Sequence, residues 1–153
     1  MGRREDLLRQ EAEGWQELTA LIDGLTPGQL ERPGYTAEGW SIRELLWHLA
    51  RWCDEAAEVI GRIADGTWDG VDPTAEPGWV ERQNLAWFEE SRGMSLDAVR
   101  TGFHDARARM LTRFGELPEL TPEADEWFDE SGPRHYAEHL PDLRVWVERL
   151  RAG

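Results

Sequence analysis

Lysine is absent from this chain and cysteine occurs once, at Cys53. The first absence excludes Schiff-base catalysis by a side-chain amine; the second excludes an internal disulfide and any all-cysteine metal cage. Positive charge is scarce as well, since 17 basic residues face 31 acidic ones for a net charge of -14. That field repels phosphate backbones, so nucleic acid is not an expected partner. No apolar run approaches the roughly 18 residues of a spanning helix. Met1-Gly2-Arg3-Arg4-Glu5-Asp6 leads straight into an amphipathic segment rather than a signal-peptide core. The expectation is a cytoplasmic protein without a membrane partner. Neither a glycine-rich phosphate loop nor a G-x-S-x-G elbow is present.

What remains is a 153-residue chain of one-domain size, 40% hydrophobic, with nine tryptophans. Tryptophan in such excess either fills a small core or walls a pocket for an apolar ligand. Every apolar pattern has helical spacing of three and four, which predicts an all-α fold. The first helix is predicted over residues 4–25, with Leu8, Ala12, Trp15, Leu18 and Ile22 on its stripe, and a Gly- and Pro-containing loop follows to Gly39. Ser41 and Glu44 form a capping box for a second helix, which holds register from Ile42 to Ile63 and stops at Asp65-Gly66. Cys53 lies on that stripe and reads as a small buried hydrophobe. After a loop at 66–78 come a helix over 79–91 and another capped by Ser95, with Leu96, Val99, Phe103, Ala106, Met110, Phe114 and Leu117 as its seam. A Pro-rich connection through Pro118 and Pro122 leads to Gly132-Pro133, which opens the last helix; Pro141 should kink it. Four principal helices with one long middle crossover predict a four-helix bundle spanning residues 1–153 as a single domain.

With cysteine cages excluded, attention moves to the four histidines. His135 and His139 stand one helical turn apart in His135-Tyr136-Ala137-Glu138-His139, the spacing at which two imidazoles share one metal. At about 100° per residue both point toward the bundle. His48 falls at the rim of the second helix's stripe, beside Trp52. Three imidazoles from two helices could bind Zn²⁺ or another borderline divalent ion and leave one position open for water. Equally, His48 could be a boundary residue bonded to backbone and the pair incidental. His104 lies off its seam among arginines and reads as solvated. The 135–139 string also fits H-x-x-E-H, with Glu138 in the place of a general base, but too few residues follow His139 to supply that protease family's downstream carboxylate ligand. Glu138 is then either a base or a solvated-face residue. A di-iron carboxylate site fails because no Glu stands three residues before any His.

The run Gly39-Trp40-Ser41-Ile42-Arg43-Glu44-Leu45-Leu46-Trp47-His48-Leu49-Ala50-Arg51-Trp52 resembles the second-helix signature of the DinB-like superfamily. His135-Tyr136-x-x-His139 followed by Leu143-Arg144-x-Trp146 looks like its C-terminal signature, and Asn84 with the Ser95 helix is similar to the ClbS/DfsB branch. The resemblance covers nearly the whole chain. It implies a four-helix bundle in up-down-down-up order, often dimeric. It also implies a divalent ion held by one histidine of the second helix and an H-x-x-x-H pair of the last, matching His48, His135 and His139. Activities implied are transfer of low-molecular-weight thiols such as bacillithiol or mycothiol, maleylpyruvate isomerisation, and YfiT-type or other hydrolysis.

The expected function is therefore that of a metal-dependent enzyme, with zinc or nickel, acting on an electrophilic small molecule by thiol transfer or hydrolysis, in detoxification or self-resistance. Mycothiol or another small thiol is the expected cosubstrate, and Glu138 or a bound water moves protons. Trp47, Trp52, Trp87, Phe88 and Tyr136 are the aromatic candidates for pocket walls, with Asn84 as polar anchor; for Trp52 and Tyr136 core packing is an equal account. Two rival functions stand beside this one: a sequestering protein without turnover, and a bundle carrying the metal merely as a staple.

Overall fold

The computed structural model describes residues 2–153, and among them it is all-helical, as expected. The helices are α1 (Arg3–Ile22), α2 (Pro27–Leu30), α3 (Ile42–Asp65), α4 (Trp79–Arg92), α5 (Leu96–Gly115), α6 (Pro122–Ser131) and α7 (Pro133–Ala152), with a 3₁₀ turn at Pro73–Ala75. They fall into two compact units, one made of residues up to 42 and from 120 on, the other of residues 43–119.

In the first unit α1 packs against α6 and α7, and α6 against α7. The inward face of α1 matches the expected stripe only in part, since Leu18 is buried and Trp15 and Ile22 are half-buried. Leu7, Glu11 and Leu18 are its fully buried positions, whereas Leu8 and Ala12 are exposed. A glutamate occupies the inward row, so an apolar count slides onto the neighbouring row. Glu11 tolerates burial because the Tyr136 hydroxyl donates to its Oε2 at 3.0 Å. The helix also ends earlier than expected: Asp23 is extended and Gly24 takes a left-handed φ of 80°.

Two short helices stand where loops were expected. In α2, Thr26 Oγ1 accepts from Gln29 N and the Gln29 side chain accepts from Thr26 N, a complete capping box with Pro27 at the first turn. In α6, Thr121 Oγ1 accepts from Ala124 N, and Ala124, Trp127, Phe128 and Ser131 are buried at helical spacing. Pro122 costs this helix nothing, since the first-turn N–H it lacks has no intrahelical acceptor. Arg3 ties the helix to the start of α1 with two hydrogen bonds to Asp125, each 2.8 Å. The last helix, α7, buries Tyr136, Leu140, Leu143, Val147 and Leu150 as predicted, and runs unbroken through the exposed Pro141.

In the second unit α3 has its predicted bounds and closes at Gly66, φ 75°. Arg43 at its start donates to the backbone carbonyls of Ser91 and Met94, tying α3 to the end of α4. Asp54 and Asp65 pair with Arg109 and Arg113 of α5. Close approach to a buried ring occurs at Gly102, where an added Cβ would lie 2.6 Å from the Trp47 ring. The α5 seam is as expected, with Ser95 Oγ accepting from Ala98 N at 3.1 Å and Val99, Phe103, Ala106, Met110 and Phe114 buried. No helix of the described residues is long and apolar enough to cross a membrane.

Candidate metal centre

Helix α7 sets the first two ligands. Its start is fixed by the Gly132-Pro133 junction, with Tyr136 N donating to Gly132 O at 2.9 Å. One turn then separates His135, which is buried, from the partly buried His139. Their Nε2 atoms face each other at 3.3 Å. Two nitrogens bound at about 2.0–2.1 Å to one tetrahedral ion lie about 3.3 Å apart, so the pair already has the spacing that a zinc-like ion requires. The same distance also suits a hydrogen bond in which one Nε2–H donates to the other.

A tyrosine that sequence reasoning passed over completes this half. The Tyr35 hydroxyl lies 3.1 Å from His139 Nδ1. Tyr35 belongs to a short loop closed on itself, in which the N–H groups of Gly34 and Tyr35 both donate to Trp40 O, at 3.0 and 2.8 Å. Gly39 N donates to Thr36 O, and Trp40 N donates to the Thr36 hydroxyl. Gly34 sits at φ 119°, and a Cβ there would come within 3.0 Å of the Trp146 ring of α7. Only glycine lets the loop lie this close. Nothing in the sequence marks Tyr35 beyond its place in a Gly-bounded loop.

Burial is the main electrostatic influence here. It pushes the Tyr35 phenol up to about 12, with the Asp142 charge adding to the effect. It lowers His139 below the ordinary imidazole value, opposed by Asp142. For His139 this favours the neutral imidazole, the state a nitrogen ligand needs.

His48 is carried by α3. It belongs to the second unit, whereas His135 and His139 belong to the first. The other sequence candidates are distributed differently. Glu138 is exposed on α7. Tyr136 is wholly buried, its ring tilted against Trp15 at 6.1 Å, with its hydroxyl given to Glu11. Of the two accounts open for it, core packing is the one its surroundings describe.

In the second unit Trp52 stands edge-on to Trp87 at 5.2 Å and to Trp79 at 6.1 Å, while its Nε1 donates to Asn84 Oδ1 at 3.1 Å. Trp79 was not among the candidates. Asn84 thus orients an indole with its carbonyl end and keeps its NH₂ as the group it can offer to a ligand. Trp87 and Trp47 are buried, whereas Trp52, Asn84 and Phe88 are partly exposed. Arg51 lies over the Trp87 ring at 5.5 Å and Arg92 over Phe88 at 5.9 Å. His104 is exposed beside a surface depression bordered by Asp97, Arg100, Thr101 and Asp105, as its sequence position indicated.

No curated protein and no solved structure matches this chain. A family model does: that of the mycothiol maleylpyruvate isomerase N-terminal domain, over residues 12–148. That family lies within the DinB/YfiT-like superfamily whose signatures the second and last helices carry. The match takes in α3, most of α7 and all three histidines, and by it this all-helical chain belongs to the mycothiol maleylpyruvate isomerase N-terminal domain family.

Proposed function

We propose that this chain is a metal-dependent enzyme in which a small thiol, mycothiol by preference, or water attacks an electrophilic small molecule. The observation that carries the reading is the donor set. Two imidazole nitrogens are spaced for one tetrahedral ion, and the family match takes in a third histidine, His48. Imidazole donors suit zinc, nickel and similar divalent ions. Bound by His48, His135 and His139, such an ion supplies Lewis acidity that makes a thiolate or hydroxide available at neutral pH.

The chain's own residues do the rest. His139, kept neutral by burial, can present its Nε2 to an ion shared with His135 Nε2, 3.3 Å away. In this reading Trp52 and Phe88 offer apolar surface to the electrophile, the Asn84 amide offers a donor, and the buried Trp47 and Trp87 support them from behind. Glu138, at the surface, exchanges protons with solvent. In this reading the chain works in the cytoplasm as a homodimer. Kinship with the ClbS/DfsB branch, carried by Asn84 and the Ser95-capped helix, is part of the same proposal and supplies its hydrolytic arm.

The test is turnover by metal-loaded protein. It is to be measured first with mycothiol plus maleylpyruvate and other electrophiles, then with water alone. Activity that disappears in His139→Ala and His48→Ala is expected. Saturable binding of the electrophile without product would instead make the protein a sequestering one, and metal uptake with neither would make the ion a staple.

A further inference from the structure

We propose that Tyr35 is a positioning residue for the metal centre: its hydroxyl accepts from His139 Nδ1–H and so commits Nε2 to the ion. The inference rests on the metal reading above and adds to it a residue outside the three histidines. An imidazole that ligates through Nε2 must carry its proton on Nδ1, and that proton needs an acceptor when it is out of water. Tyr35 oxygen, 3.1 Å from Nδ1, is that acceptor.

Three features show that the contact is built. Tyr35 is held from behind by the paired donation of Gly34 N and its own N to Trp40 O. The loop lies flush on α7 through Gly34, whose missing side chain admits the Trp146 ring. His139 and Trp146 are seven residues apart, two turns on one face of α7, so the loop touches that face both at the ligand and beyond it. The phenol is neutral at any physiological pH. It therefore serves as a fixed dipole and adds no negative charge to the centre.

The experiment measures ion affinity by competition with a chromophoric chelator, using Zn²⁺ on the full untagged chain. Tyr35→Phe keeps the ring and removes the acceptor. Affinity is expected to fall about 10- to 100-fold, the usual cost of losing an outer partner of a metal-bound histidine. The melting temperature of the ion-free protein should change far less than that of the loaded one. Site-specific 3-fluorotyrosine at position 35, which preserves the packing and weakens the acceptor, should give a smaller loss in the same direction. This second variant decides the matter if Tyr35→Phe folds poorly. Affinities within twofold of the unsubstituted chain in both variants would overturn the role of Tyr35 alone. An unsubstituted chain that takes up no Zn²⁺ would overturn it together with the metal reading.

Discussion

Replacing Tyr136 by Phe should destabilise the first unit without touching ligand recognition. The hydroxyl is removed from a fully buried side chain, and Glu11, also fully buried, loses a donor at 3.0 Å. A hydrogen bond to a carboxylate in such surroundings contributes about 1.5–3 kcal/mol. For a chain of this length each kcal/mol moves the melting temperature by about 2–4 °C, so a loss of about 2 kcal/mol lowers it by about 4–8 °C. Urea denaturation of the single variants and of Tyr136→Phe combined with Glu11→Met completes the cycle. The double variant should cost at least about 1 kcal/mol less than the sum of the singles, because the apolar replacement leaves no buried carboxylate to satisfy. A single-variant cost below about 0.5 kcal/mol, or additivity within that amount, would refute the pairing. A Tyr136→Phe protein of unchanged stability but altered substrate response would restore Tyr136 to the pocket wall.

Three further outcomes follow from the packing and electrostatics. Gly61→Ala and Gly102→Ala should have opposite signs in thermal melts. A Cβ at Gly61 meets only the flexible end of Arg113, so a gain in helix propensity of up to about 1 kcal/mol survives, whereas at Gly102 it meets the buried Trp47 ring at 2.6 Å. Equal signs would contradict the contrast. In ion-free protein the His139 value is lowered on folding, so the unfolded chain takes up that proton first as the pH falls. The contribution is full above the ordinary imidazole range and is lost as the pH drops through about 6.5. Urea midpoints between pH 7.5 and 5.5 should therefore fall less steeply in His139→Asn, and parallel slopes would show that His139 is not the group responsible. Chelator added to metal-loaded protein should lower its melting temperature, since an ion bound only by the folded state stabilises it in proportion to ln(1 + [ion]/Kd); an unchanged temperature would count against a bound ion.

Sequence legibility follows the physics of each element. The periods of α3, α5 and α7 are readable because their inward rows are apolar almost throughout, and capping by Ser95 confirms α5 locally. The inward row of α1 misleads because Glu11 interrupts it, and its compensating partner, Tyr136, is 125 residues away. Helices α2 and α6 announce themselves by Thr-Pro at Thr26-Pro27 and Thr121-Pro122, a start signal hidden when proline is counted only as a breaker. At the centre, the His135/His139 spacing is local and so survives in sequence. Tyr35 is invisible there because its role depends on a loop that closes on Trp40 and lands on a helix a hundred residues on. The Trp52–Asn84 bond and the edge-on tryptophans are non-local for the same reason.

The central claim is that His48, His135 and His139 hold one divalent ion. Its most direct test is metal analysis of untagged protein after incubation with Zn²⁺ or Ni²⁺ and removal of free ion. One ion per chain is expected, retained in His104→Ala and lost in His139→Ala. Well under one ion per chain in the unsubstituted protein, or one ion kept in His139→Ala, would contradict the account.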